Sequence, residues 1–343
     1  MKLNLGSGWD NRDGYINVDF LAVHQPDVVA DVFKLPFASH SVSEVFGQDV
    51  LEHLPRTATG DALAEWRRVT RDGGVARIRV PSLFHAADLM QRTDTLEMHE
   101  LLLQNLYGTQ AYTGDIHLTS FTDRTIAAAF HAAGFRMVTA ELVDQWMWDI
   151  TAVGADGPPL ALFWDSGFYV EESSSPVGST PSGEPTRWRW CDRDGSISLV
   201  NTGDTRLRAS LTFELVAPHA PGAAVTVRIG VEGRSAPVGE PITIDFDVEA
   251  GQRLVIDLHA PFDQLDAPAD ARKLYFQTQH VALTAQPASG GSPPTLNGME
   301  FISDVAESST DPAQPPAELP TPQASGPEKR SRRALKRIAA RLP

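Results

Sequence analysis

A single cysteine, Cys191, stands in the 343 residues, which excludes an internal disulfide and a thiolate metal cluster within one chain. A reducing compartment is the expectation. No uninterrupted apolar run reaches the roughly 18 residues that a membrane helix needs. Lys2 leads straight into an apolar strand pattern rather than into a cationic segment with an apolar signal core. A cytoplasmic location is therefore expected. Cations are also scarce, 29 Lys and Arg against 44 Asp and Glu, for a formal net charge of −15. Lys329, Arg330, Arg332, Arg333, Lys336, Arg337 and Arg341 crowd into residues 328–343, where only Glu328 opposes them. The rest of the chain is more acidic than the total suggests. Such a body does not suit nucleic acid as a partner, because that binding neutralises phosphates with clustered cations. There is no Gly-x-Ser-x-Gly element, no Gly-Lys-Ser/Thr phosphate loop and no His/Asp/Glu group at metal-ligand spacing. Hydrolase and nucleoside-triphosphatase chemistry is excluded on that pattern, and no metal is expected.

What is present is an alternation of short apolar runs and helical patterns over residues 1–155. Strand-like runs are 3–5, 15–18, 28–30, 44–47, 75–80, 136–142 and 146–153. Residues 57–70 have helical spacing with Leu63, Trp66 and Val69 on one stripe, and 122–133 reads as a capped helix ending at Gly134. This predicts an α/β Rossmann-like domain with a mostly parallel sheet. A linker is expected over 156–186, since 171–185 is rich in Ser, Pro and Gly. From Trp188 the apolar period becomes two, in Leu211/Phe213/Leu215, Val225/Val227/Ile229/Val231, Ile242/Ile244/Phe246/Val248 and Leu254/Ile256/Leu258. That pattern predicts an all-β antiparallel sandwich of about seven strands over 187–303. Residues 304–327 are expected to be disordered.

The first four strand exits carry the informative side chains: Leu5 runs into Gly6-Ser7-Gly8, Val18 into Asp19, Ala30 into Asp31, and Gly47 into Gln48-Asp49. In an open parallel sheet, ligands sit beyond the carboxyl ends of the strands. Glycines let a ligand approach the backbone, Asp19 has the acceptors for two ribose hydroxyls, and Asp31 has one for an adenine amine.

With Leu35-Pro36-Phe37, Val50-Leu51-Glu52-His53, Glu65-Trp66-Arg67-Arg68-Val69, Gly73-Gly74 and His117 to Phe121, the order of these blocks resembles the class I S-adenosylmethionine-dependent methyltransferases. It is closest to a compact bacterial methyltransferase-like subgroup. The resemblance covers about residues 2–155 and implies a seven-stranded sheet with its last strand antiparallel. It implies S-adenosyl-L-methionine as cofactor, contacted by Gly6, Gly8, Asp19, Asp31, Gln48 and Asp49. Two departures stand out. Position 10 is Asp where a third glycine is usual, and the nine residues between Leu5 and Tyr15 leave no room for a helix in the first crossover.

Methyl transfer from a sulfonium needs alignment and a deprotonated acceptor. His117, in Gly114-Asp115-Ile116-His117 ahead of the second helix, and His53, shortly after the fourth strand, are the candidate bases, with Asp49 and Glu52 as carboxylate alternatives. Trp66, Arg67 and Arg68 read as the core and solvated face of one helix. In Arg187-Trp188-Arg189-Trp190, alternation puts both tryptophans on one face. They either fill a core or form a platform for a sugar ring. The second domain weakly resembles accessory sandwiches of bacterial surface-glycan enzymes. The expected activity is O-methylation of a sugar, glycan intermediate or small metabolite. The alternative is a non-catalytic glycan- or protein-binding module with a degenerate methyltransferase domain. In the tail, Leu335, Ile338, Ala339 and Leu342 form a stripe among the cations. Residues 328–343 therefore read either as a peripheral contact with anionic membrane or as a solvated basic tail.

Overall fold

A computed structural model describes residues 1–112, 114–174 and 186–288. The expected disordered stretch 304–327, the basic segment 328–343, residues 289–303 of the expected sandwich and residues 175–185 of the expected linker lie outside the described residues.

Short β-rich runs at the start of the chain pair as read. β1 (Lys2–Leu5), β2 (Ile16–Asp19), β3 (Val28–Val29), β4 (Val42–Gln48) and β5 (Thr70–Pro81) lie parallel in the order β3-β2-β1-β4-β5. β6 (Arg136–Val143) is the outer neighbour of β7 (Met147–Val153), and β7 runs antiparallel to both β5 and β6. Helix α1 (Thr59–Val69) buries Leu63, Trp66 and Val69 on the predicted stripe. Two helices absent from the sequence reading, α2 (Leu83–Arg92) and α3 (Leu96–Tyr107), follow β5. Helix α4 (Asp123–Ala132) is capped by Thr122 and Thr125, each side chain accepting from or donating to the other's backbone as the capping pattern requires.

The ten-residue crossover from β1 to β2 makes its turn without a helix because side chains replace one. Asn4 Nδ2 donates to Asp10 O at 2.8 Å and to Asn17 Oδ1 at 3.0 Å. Asn17 Oδ1 also accepts from Arg12 N at 2.8 Å, and Asp27 Oδ2 accepts from Asn17 N at 2.8 Å.

The largest departure from expectation falls in the segment read as linker. Within 156–186, β8 (Leu160–Trp164) is buried along its whole length; it runs parallel to β6 and antiparallel to β11 (Asp194–Asn201). Five consecutive apolar side chains, Leu-Ala-Leu-Phe-Trp, are buried on both faces, which suits a central strand and not a tether. β8 thereby joins the first seven strands to β11, β16 (Arg253–His259), β13 (Ala224–Ile229) and β14 (Glu232–Pro237) in one 12-stranded sheet. A second sheet, β15 (Pro241–Val248), β12 (Leu207–Val216), β17 (Phe276–Pro287), β10 (Arg187–Cys191) and β9 (Glu172–Ser173), contributes the other face of the antiparallel sandwich. Leu160, Leu162 and Trp164 of β8 share the sandwich core with Leu207, Leu211 and Phe213. The period-two reading fails only at Val231, which sits exposed in the turn between β13 and β14.

Charges fasten the two halves where the sheet passes from one to the other. Arg253 places Nε 2.5 Å from Asp123 at the start of α4 and Nη2 2.8 Å from Asp165 beyond β8. Arg189 is buried, bonds Glu141 of β6 at 2.6 Å and lies 4.8 Å over the Trp164 ring. The face of β10 opposite the tryptophans is thus covered, and Trp190 is itself buried. Of the two tryptophans, Trp190 serves packing, while Trp188 is half-buried.

Candidate functional site

The carboxyl ends of β1, β2 and β4 converge as the strand order requires, and each exit has its own local cause. Gly6 and Gly8 hold φ of 58° and 50°, the left-handed region. At Gly6 there is a second reason for glycine, since a Cβ would stand 2.6 Å from Val50 Cγ2. Gly8 faces open space.

Asp19, expected as an open ribose acceptor, is turned inward and is 4% exposed. Its Oδ2 accepts from Gly8 N at 2.8 Å and its Oδ1 from Leu21 N at 2.8 Å, with His24 Nδ1 3.0 Å away. In this arrangement Asp19 fastens the glycine turn to β2. Asp31 is exposed and spends one oxygen on Phe33 N at 3.0 Å. The loop it opens is held by α1: Glu65 Oε1 accepts from Leu35 N at 2.7 Å, and Arg68 donates to Leu35 O at 3.1 Å and Phe37 O at 3.0 Å. Arg68 therefore does more than cover a solvated face. The Arg68 bond also holds the Glu65 carboxyl below its ordinary range.

Gln48 Oε1 accepts from Arg12 Nη2 at 3.2 Å. Sequence reasoning missed Arg12, whose guanidinium lies 3.8 Å over the Phe46 ring and brings a cation to strand ends that otherwise display glycines and acids. Its proximity to β4 follows from the short crossover, the one sequence feature that pointed there. Asp49, at φ 57°, forms a two-point ion pair with Arg79, Nε to Oδ1 at 2.9 Å and Nη2 to Oδ2.

Beyond Asp49 a single 3-10 turn, Leu51–His53, carries Glu52 and His53. The chain ahead of α4 docks onto it: Leu118 N and Thr119 N donate to Glu52 O at 2.7 and 3.2 Å. That docking brings His117 to His53, with ring centroids 4.6 Å apart and planes at 89°. Gly108, at φ 77°, makes the loop possible, since an added Cβ would sit 2.0 Å from Asp115 O. Both candidate bases thus meet, together with Glu52, in a group whose ligand-type atoms all lie within 4.8 Å of one another. The sequence reading found no metal-ligand spacing because one member comes from a different loop. His117 Nδ1 lies 2.7 Å from Asn105 O, and burial, reinforced by His53, lowers its pKa. Glu52 is 1% exposed; burial, then the neighbouring Asp49 charge, pushes its carboxyl well above the ordinary value.

Residues 11–78 match the family model described as a methyltransferase domain. No curated protein matches the chain. Among solved structures, similar chains include an S-adenosylmethionine-dependent methyltransferase from Methanosarcina mazei, at 14% identity over 45% of this chain and 92% of that one, TM-score 0.35. Another is the 1,6-didemethyltoxoflavin-N1-methyltransferase of Burkholderia thailandensis, solved with S-adenosylhomocysteine, at 19% identity over 45% of this chain and 71% of that one, TM-score 0.32. A third is a methyltransferase of Haloferax volcanii complexed with the activator Trm112, at 16% identity over 45% and 82%, TM-score 0.33. The N-terminal part of this chain is thus similar to methyltransferase domains over residues 11–78, on a sheet ordered β3-β2-β1-β4-β5-β7-β6 with β7 antiparallel, and an antiparallel β-sandwich follows it.

Proposed function

We propose that the chain transfers a methyl group to a hydroxyl of a sugar, glycan intermediate or small metabolite. The observation that carries this reading is the meeting of His53 and His117 beside Glu52, on the same edge as the Gly6–Gly8 turn. The cofactor, when bound, supplies an electrophilic methyl on a sulfonium whose leaving group is neutral, so no acid is needed to expel it. Gly8, facing open space, admits its close approach, and Asp31 keeps acceptor capacity toward solvent. Arg12, whose Nη2 already donates to Asp10 Oδ2 at 2.9 Å, would have to share its charge with a cofactor carboxylate, a task that a helix N-terminus would otherwise take in a longer crossover. Asp19 acts by shaping the turn. With its pKa lowered, His117 is neutral near pH 7 and can take a proton from a hydroxyl.

A second reading is a binding module without chemistry, favoured by the inward orientation of Asp19. Isothermal titration with S-adenosylmethionine and with its demethylated product separates the two. Saturable binding of both supports the enzyme, and no binding of either leaves the module. For residues 328–343 we propose contact with an anionic membrane face. The supporting observation is the cluster of cations in sequence, and the test is sedimentation with anionic liposomes, with and without that segment, as salt is raised.

A further inference from the structure

We propose that Glu52, His53 and His117 form a binding site for a divalent first-row transition ion, with zinc as the reference case. Three observations carry it. Glu52 is 1% exposed, and among the described residues neither carboxylate oxygen has a hydrogen-bond partner. Burying a carboxyl without partners is costly, so native structures rarely leave one in that state without a ligand or a task. The potential ligand atoms of all three side chains lie within 4.8 Å of one another, so that small side-chain rotations bring them within the roughly 4 Å that ligands on one ion span. The imidazoles are also set for ligation: His117 Nδ1 lies 2.7 Å from Asn105 O, and His53 Nδ1 lies 3.3 Å from Ile116 O. A carbonyl can only accept, so each Nδ1 carries the proton and each Nε2 keeps its lone pair. Metal-binding histidines are commonly oriented in this way.

The neighbouring acid is not a competitor, because both oxygens of Asp49 are taken by Arg79. Two imidazole nitrogens and one carboxylate suit zinc, iron(II) or nickel better than magnesium, which prefers an all-oxygen shell and its own waters. Three protein ligands leave a coordination position for water or a substrate oxygen. If the methyl-transfer reading holds, that position would take the acceptor hydroxyl and the ion would lower its pKa, the proton leaving to solvent, with His117 then a ligand and not the base. This last consequence rests on the proposed function, whereas the site itself does not.

The test uses the full chain, stripped with chelator and titrated with zinc alone, with magnesium in parallel. Neither titration contains cofactor, so failure here is distinct from failure to bind S-adenosylmethionine. One equivalent of zinc should bind, and magnesium should not bind at the same concentrations. Glu52→Gln, which keeps the side-chain shape, and His53→Ala, at a partly exposed position, should each weaken zinc by at least about 100-fold. Cobalt(II) should give a visible absorption band that His53→Ala abolishes while circular dichroism is unchanged. Absence of zinc binding by wild type, or zinc affinity within about threefold of wild type in both variants, overturns the proposal.

Discussion

The two flanks of the strand ends treat their buried carboxylates differently. On the β1–β2 flank, Asp19 is 4% exposed and both oxygens accept backbone bonds, while Asn4, Asn17 and Asp27 close the crossover with one another. On the β4 flank, Glu52 is 1% exposed and has no partner among the described residues. The same functional group is scaffold in one place and an unspent donor of electron pairs in the other. Burial alone does not distinguish a structural acid from a functional one; the tally of its partners does.

Substitutions at the two acids should therefore have opposite signs. Asp19→Ala removes one member of a buried pair and frees two backbone N–H groups, and should cost about 3 to 5 kcal/mol in urea unfolding. Cofactor binding should fall with it, through loss of the glycine turn. A cost near zero would erase the distinction on the β1–β2 flank.

The next effect sets an acid-sensitive reference away from both flanks. His85, on α2, packs edge-on to Trp148 at 4.8 Å and shares a 2.7 Å hydrogen bond with Ser82. Burial, with Arg253 nearby, lowers its pKa to about 4. Because the folded value lies below the ordinary 6.5, the neutral ring's contribution is whole above pH 6.5 and is lost as pH falls toward 4. Wild type should lose up to about 3 kcal/mol over that window, and His85→Gln should not. Parallel denaturant curves at pH 7 and pH 4.5 decide it, and equal losses in both proteins would refute the assignment.

Glu52→Gln should raise the stability of the metal-free protein by about 1 to 3 kcal/mol, since an unpartnered carboxylate is replaced by a neutral group of the same shape. Calorimetry in chelator reads it directly. A destabilised variant would mean that Glu52 has a structural partner, and the contrast between the flanks would dissolve. The smallest effect concerns Arg12→Ala, which should weaken S-adenosylmethionine by about five- to tenfold while leaving unfolding within about 1 kcal/mol of wild type, because the side chain is partly exposed. Unchanged affinity would remove Arg12 from the site.

Much of the architecture was legible because it rests on periodicity. The stripe Leu63, Trp66 and Val69 and the alternation Leu211, Phe213 and Leu215 each show one face of an element, and each face is buried. β8 was misread because an unbroken apolar run has no period, and its neighbours in sequence are rich in turn residues; a strand covered on both faces is the case where alternation is silent. Helices α2 and α3 escaped for a related reason, since they leave Phe84, Leu96, Leu103 and Tyr107 exposed and so blur the stripe. At the site, the strand-exit glycines and acids could be read because topology sends those exits to one edge. The partners of Asp19 and the approach of His117 to Glu52 could not, since both depend on how loops close in space.

The join through β8 also bears on solubility. In a free-standing copy of the N-terminal sheet, β6 would be an outer strand eight residues long, with unpaired amides and carbonyls along one side. Such borders recruit other chains. Here β8 lies along that border and passes the pairing on to β11, while the opposite border, β3, is only two residues long. The appended sandwich therefore acts as a lateral seal, and a truncation after Val153 would expose a template for aggregation rather than release an independent enzyme.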